Sequence, residues 1–335
     1  MAMKKIWMFV LIFTLVGVLT SCNPGGALQI QMVPSGKKLK ETQIHKDKGL
    51  FVFDKIAIID VKGTISDERQ GGLLQVGENP VSTFIENLDK AANDSDVKAV
   101  VLRVDSPGGT VVASEIMYHS LKEFKNKTKK PVIVCVTGMA CSGAYYLSSA
   151  ADGIVAQQSS VVGNIGTIME TFSIAGTMQK IGVQEVTIKS GQLKDIGSPF
   201  HNLTAPEKEV LENIIKEMFQ QFVSVVREGR KSMSEEKLQE LTDGRVFTGQ
   251  QGLKEDLVDK IGYISDAIAW AKELAGVEKA RVVIYHRASV YTPNAYSPVS
   301  ASAAGLESLI NIKLPDWLTS TGRTQFLYLW QPGVE

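Results

Sequence analysis

The sequence predicts an α/β protein built on a largely parallel sheet, and three features carry that prediction. Residues 97–104 and 132–137 are apolar runs without polar alternation, each too short for a solvent-facing helix. Runs of that kind fit strands buried on both faces, as inner strands of parallel sheets are. A helical segment, residues 111–124, lies between them, so strand and helix alternate as βα units. At 335 residues and 44% hydrophobic, the chain is long enough for one large core or two modest ones.

In chain order, residues 1–22 stand apart from the fold. Lys4 and Lys5 precede an apolar run, residues 6–19, which ends in Leu19-Thr20-Ser21-Cys22. A basic start, an apolar stretch and small residues before a cut make an export leader. The last four residues resemble the bacterial lipobox, which implies lipid attachment at Cys22. The alternative is a plain membrane anchor, since the run approaches the ~18 residues of a spanning helix. Both readings put the body outside the cytoplasm, tethered to a membrane. Residues 23–50 are polar and rich in Pro, Gly and Lys, which predicts a flexible spacer.

The body is expected over residues 51–286. A strand at 55–61 opens it, and the glycine-rich stretch 63–77 is a candidate lid. Asn79 and Pro80 suit the cap and first turn of a helix running to residue 92. Residues 183–188 have the composition of a strand. Pro206 starts a long helix whose stripe of Leu211, Ile214, Ile215, Met218, Phe222, Val225 and Val226 marks core or subunit interface. Helices are expected at 234–241, 249–254 and 263–274, with a strand at 281–285. Residues 287–335 lose periodicity and form an irregular tail, with a weak helix at 301–312 and an apolar patch at 326–330.

The segment that organises the chain is the strand at 132–137, the break at Gly138, and the small residues leading to Ser142, Gly143, Ala144, Tyr145 and Tyr146. A serine at a strand-to-helix turn lies among unpaired helix N–H groups, where a developing oxyanion is favoured. Taken alone, it is better explained as a helix cap. Two further segments weigh against that simpler reading: Ser106-Pro107-Gly108-Gly109 after the first inner strand, and the loop Ser190 to Ser198 containing Lys194, Asp195 and Ile196. With the Ser-Gly-x-Tyr-Tyr segment and Asp243-Gly244-Arg245-Val246-Phe247-Thr248-Gly249, they resemble the signal peptide peptidase A family of Ser/Lys-dyad peptidases.

That resemblance implies a crotonase- or Clp-protease-like fold of repeated βα units with flanking long helices. It implies Ser142 as nucleophile, Lys194 as general base, and Gly108, Gly109 and Gly143 as the oxyanion hole, with Asn164 and Ser190 supporting the dyad. Family members form bowl-like homo-oligomers and cut hydrophobic peptides such as remnant signal peptides. The sequence departs from the family pattern at Cys141 and Ala144 beside the nucleophile, and at Asn164, where serine is usual. Asp256 replaces a usual glycine, and Asp tolerates a left-handed backbone better than most residues.

A lysine serves as base only if its ammonium is disfavoured, because its ordinary pKa is ~10.4 and ~7 to 8 suits neutral operation. Of the four histidines, His45 falls in the spacer, His286 at the frayed end of the body and His119 on a helix surface, which leaves His201 to test for a Ser-His-Asp triad. Cys141 abuts Ser142 but lacks a histidine partner. No His, Cys and carboxylate grouping has metal-ligand spacing, so no metal or other cofactor is expected. Gly108 and Gly109 lack the Lys and hydroxyl residue of a P-loop, and a formal net charge of +0 gives no case for nucleic acid. Two rivals remain, a crotonase-like acyl transferase or hydrolase and a non-catalytic membrane lipoprotein scaffold.

Overall fold

The structure is a computed structural model that describes residues 39–68, 78–287, 294 and 326–330. The leader, Cys22, most of the spacer and the expected helix at 301–312 lie outside the described residues.

The described residues open with strands β1 (Lys40–Lys46) and β2 (Lys55–Lys62), then helix α1 (Pro80–Asn93). Strand β3 (Val97–Ser106) leads into the short β4 (Gly108–Thr110) and α2 (Val111–Thr128). Strand β5 (Val132–Cys141) runs into the six-residue α3 (Gly143–Ser148), followed by β6 (Gly153–Ala156) and β7 (Val161–Gly163). Beyond come α4 (Ala175–Lys180), the long α5 (Ala205–Gly229), α6 (Glu235–Leu241), β8 (Val246–Thr248) and α7 (Gly249–Lys254). Strand β9 (Lys260–Ile261), α8 (Ile264–Leu274) and β10 (Arg281–His286) complete the body, and β11 (Leu327–Leu329) lies in the tail.

The main sheet runs β1-β10-β2-β3-β5-β6-β9, with β7 joined to β5 and β8 to β7. Every pairing from β10 through β9 is parallel, as the alternation of strands and helices predicts. The inner strands carry no polar alternation because both faces are covered. Ala57, Ile59, Val100, Leu102 and Val134 join one core with α1, α2 and α3. Ile56, Ile58, Ala99, Val101, Ile133 and Cys135 join a second with Ile264, Ala267 and Ala271 of α8. Successive side chains point to opposite faces, so such strands must be apolar throughout. One buried charge interrupts this: Arg103 on β3 stands opposite Asp60 on β2 and donates to its carboxylate at 2.6 Å. Asn79 caps α1 as expected, its Oδ1 accepting from the Ser82 N–H at 2.9 Å.

Four expectations need correction. Residues 40–46, placed in the spacer, form an edge strand antiparallel to β10, held by Ile44 against the second core. Residues 183–188 are not a strand; they have no sheet partner, and Val186 and Ile188 are 84% and 97% exposed. His286 does not lie at a loose end but is buried at the end of β10, bonded to Thr42 Oγ1 at 2.7 Å. The tail is not irregular at 327–329, which pair antiparallel with β4. Among the described residues no helix is long and apolar enough to cross a membrane.

Candidate active site

Ser142 sits where β5 ends and α3 begins, with φ 52° and ψ −118°. A non-glycine residue in such backbone costs ~1–3 kcal/mol and persists only where its surroundings enforce it. Here the Ser142 N–H donates to Gly163 O at 2.8 Å, and its carbonyl accepts from Tyr145 and Tyr146, both at 2.9 Å. Its side chain makes no cap hydrogen bond, so the simple capping role fails. The hydroxyl is instead buried with no hydrogen-bond partner among the described residues. An orphaned buried hydroxyl costs about 1–3 kcal/mol, and such groups recur where the atom has chemistry to do.

The two residues after Ser142 that match the Tyr-Tyr motif have different tasks. Tyr145 is fully buried and donates to Leu257 O at 2.8 Å, anchoring α3 to the core. Tyr146 faces an aromatic pocket, 5.1 Å from Tyr118 and 5.2 Å from Phe222 between ring centroids.

Gly108 and Gly109 approach Ser142 from β4. Gly108 has φ +97°, and a Cβ there would lie 2.6 Å from the Gly143 nitrogen and 2.9 Å from Cys141 O. Only glycine permits both the backbone and the approach. Its N–H donates to Ser106 Oγ at 3.1 Å, and that hydroxyl donates to Gly63 O at 2.6 Å, so the turn carries its own brace. Gly143 opens α3, where a helix provides its first N–H groups with no acceptor.

The tail strand lies across this site. Val111 N–H donates to Phe326 O at 3.2 Å and Trp330 N–H to Pro107 O at 2.8 Å. Hydrogen-bonded pairs alternate in an antiparallel ladder, which makes Gly109 and Tyr328, paired in register between them, the third such pair. On its other edge Leu327 exchanges hydrogen bonds with Ile168 at 3.0 and 3.1 Å. The Tyr328 carbonyl oxygen would stand 2.1 Å from a Cβ on Gly108 and 3.1 Å from one on Gly143. Its ring is fully buried, stacked on Tyr146 at 5.3 Å and 4.7 Å from Phe222, with its hydroxyl donating to Met218 O at 2.6 Å.

The other expected residues do not gather around Ser142 within one chain. Lys194 and Ser190 are exposed, and the Lys194 ammonium makes no hydrogen bond or ion pair among the described residues. Its loop is built from tight turns, with Lys194 N–H to Gly191 O at 3.1 Å and Ser198 N–H to Asp195 O at 2.9 Å. Asp195 turns away toward Lys189, 2.6 Å away, which holds its carboxyl below the usual range and leaves Lys194 alone. Asn164 follows the Gly163 that anchors Ser142. It has φ 52°, and its N–H donates to Arg245 O at 2.8 Å, so the Asp243–Thr248 motif braces this turn. His201 likewise makes no hydrogen bond to the Ser142 hydroxyl and faces Asp195 and Glu207. The free thiols of Cys135 and Cys141 are buried, which pushes both up to about 12 and leaves them inert as nucleophiles.

Residues 124–278 match the sequence profile of Peptidase family S49, and residues 57–162 that of Clp protease. The chain is 37% identical over 285 residues to a protein of Methanocaldococcus jannaschii named as a protease, covering 84% of this chain and 87% of that one. It is 34% identical over 231 residues to an Enterococcus faecium protein named as a signal peptide peptidase SppA, covering 69% and 67%. The chain belongs to peptidase family S49. It is therefore a serine peptidase, and its S49 fold is the Clp-protease-like α/β arrangement expected from the resemblance. A similar match, 33% identical over 271 residues, is to Protease 4 of Haemophilus influenzae, of which the chain spans 42%.

The family resemblance allowed the terminal aromatic run to dock on the body or on a neighbour, but the pocket that receives Tyr328 escaped sequence reasoning. Tyr146, Phe222 and the apolar run at 326–330 were each visible, but nothing in their spacing joined them.

Proposed function

We propose that this chain is a membrane-tethered endopeptidase, outside the cytoplasm of a bacterial cell, that cuts extended hydrophobic peptides. Ser142 attacks the carbonyl, and the Lys194 amine of a neighbouring copy takes its proton and passes it to the leaving nitrogen. The N–H groups of Gly143 and Gly109 receive the oxyanion, with Gly108 shaping the turn through its bond to Ser106 Oγ. Water then releases the acyl group from Ser142 by the same steps in reverse.

The observation that carries this reading is the strand at Leu327–Leu329. It lies as an extended peptide does when added to a sheet edge, with main-chain hydrogen bonds on both sides and alternate side chains in pockets. Its Tyr328 carbonyl stands against Gly108 and against Gly143, the residue that follows the unpartnered Ser142. An acyl-CoA enzyme has no use for such a groove, nor has a scaffold for an orphaned serine.

The second copy is invoked for two reasons. Lys194 is exposed and away from Ser142 in its own chain, and the segment that bears it is unusually apolar at the surface. Phe172, Ile181, Val186 and Ile188 are 63%, 70%, 84% and 97% exposed. Apolar patches of that kind mark association surfaces.

Fluorophosphonate labelling tests the nucleophile, and peptide hydrolysis tests the base. Ser142→Ala is expected to lose labelling entirely. Lys194→Ala and Lys194→Arg are both expected to lose hydrolysis, because guanidinium stays protonated. Substantial hydrolysis by Lys194→Arg would remove Lys194 from the mechanism.

A further inference from the structure

Strand β1 delivers the chain to a turn, residues 47–54, that carries an apolar tip. Leu50, Phe51 and Phe53 are 92%, 82% and 63% exposed, and the two phenylalanine rings stack with centroids 6.3 Å apart. Val52, between them, is buried and pins the turn. The base of the turn is held at both ends. The Asp47 N–H donates to Ala280 O at 3.2 Å, and its carboxylate accepts from the Ala280 N–H at 2.9 Å. Arg281 donates from its side chain to Phe53 O at 2.7 Å and from its N–H to Asp54 O at 2.8 Å. A turn fixed in this way presents its rings outward.

The rim of the tip is basic. Asp47 is matched by Lys272 at 2.6 Å, and Asp54 by Lys98 at 3.6 Å. On this turn, its flank and the adjoining turn at 275–280, that leaves exposed Lys46, Lys48 and Lys279 against Glu278, an excess of two positive charges (3 − 1). The Lys279 stem runs beside the tip, since a Cβ on Gly49 would lie 3.6 Å from its Cδ. Apolar groups rimmed by lysine suit the headgroup boundary of a bilayer, where amphipathic surfaces bury ~5–10 Å deep and ammonium groups meet lipid phosphates. Size argues against a protein partner. The three side chains offer roughly 450 Å², at ~150–250 Å² for each ring. A stable interface takes ~800 Å² from each side.

We propose, on the membrane-tethered reading of the chain, that Leu50, Phe51 and Phe53 insert into the surface of the membrane that holds the leader. Residues 23–39 span at most about 60 Å, and β1 adds about 24 Å. A leader held in the bilayer therefore keeps the tip in reach of it, at an effective concentration on the order of millimolar. This second contact fixes the orientation of the body, which a tether alone does not. Strands β2, β3 and β5 are parallel; the tip precedes β2 and Ser142 follows β5. The two therefore lie at opposite ends of the sheet, roughly 30 Å apart along the ten residues of β5. Docking by the tip holds the groove off the lipid, facing peptides already released from it.

The test uses the full chain in vesicles of phosphatidylethanolamine with phosphatidylglycerol, with and without bromine on the acyl chains. Flotation with the vesicles reads the tether, and bromine quenching of a tryptophan at the tip reads insertion. After subtraction of the unaltered chain's emission, Phe51→Trp is expected to lose about half or more of its added signal to bromine, as a depth of ~5–10 Å implies. Tyr263→Trp, exposed at the other end of α8, roughly 16 Å along the helix, should lose none. Adding Leu50→Ser and Phe53→Glu to Phe51→Trp alters exposed side chains only, so the chain should melt as before and escape quenching. Ser142→Ala, combined with Phe51→Trp, must be quenched to the same extent, which separates insertion from the peptidase reading. Flotation without quenching would overturn the insertion and leave the tether standing, and no flotation would overturn both. A blue shift at the tip that grows with the protein-to-lipid ratio, without bromine quenching, would assign the patch to a second copy and also overturn the proposal.

Discussion

Gly108 carries both a backbone and a steric constraint beside Ser142. Its φ of +97° strains any L side chain, and the Cβ direction points at the Gly143 nitrogen and at the carbonyl of the strand in the groove. Gly108→Val is therefore expected to cut peptide hydrolysis by about 10²-fold or more, the usual cost of one lost oxyanion donor. The melting temperature should fall as well, because the added side chain meets backbone of β5 and α3 at Cys141 and Gly143, so hydrolysis is compared at a temperature where the variant is folded. Normal hydrolysis with a native melting profile would place the oxyanion hole elsewhere. One single residue was legible in the sequence for a similar reason: Asp256, standing where glycine is usual, does take left-handed backbone at φ 58°. Asn164 takes the same conformation at φ 52°, which its reading as a replaced serine did not anticipate. The histidine and cysteine alternatives needed coordinates, since burial of Cys141 and the partners of His201 depend on long-range packing.

At the scale of elements, the inner strands were legible because burial on both faces leaves a continuous apolar run. Strand β1 was not, because it holds a sheet edge with one apolar contact, Ile44, among polar residues. The tail strand was harder still, since its pairing with β4 spans more than two hundred residues and leaves no local trace. Its main anchor is the Tyr328 ring, whose full burial is worth roughly 2–3 kcal/mol, with aromatic contacts adding ~0.5–1.5 each. Tyr328→Ala is accordingly expected to raise the rate of fluorophosphonate labelling at Ser142 by up to about 100-fold. An unchanged labelling rate would show that the strand does not shield the serine. Circular dichroism should be nearly unaltered, because the sheet does not depend on this strand.

At the scale of the whole molecule, the half-exposed stripe Leu211, Ile214 and Ile215 on α5 adds to the apolar surface near Lys194. The buried half of that helix, Phe222, Val225 and Val226, belongs to the core, so one periodic stripe serves both purposes its sequence allowed. A dyad shared between copies has a direct consequence. Ser142→Ala and Lys194→Ala chains, each inactive alone, should regain hydrolysis when dissociated and reassembled together. For random two-member contacts the recovery should be about a quarter of the unaltered activity at equal mixing. No recovery from a mixture that demonstrably co-assembles would confine the mechanism to single chains.

The strand in the groove also decides how the peptidase responds to its surroundings. A ligand covalently joined to its own receptor acts at an effective concentration on the order of millimolar, whatever the protein concentration. Dilution cannot relieve it. Incoming peptides must compete with Tyr328 and its neighbours, so weak binders present at low abundance stay uncut while abundant or well-fitting ones displace the tail. Under the proposed mechanism, the strand Leu327–Leu329 thus sets a threshold for the substrates.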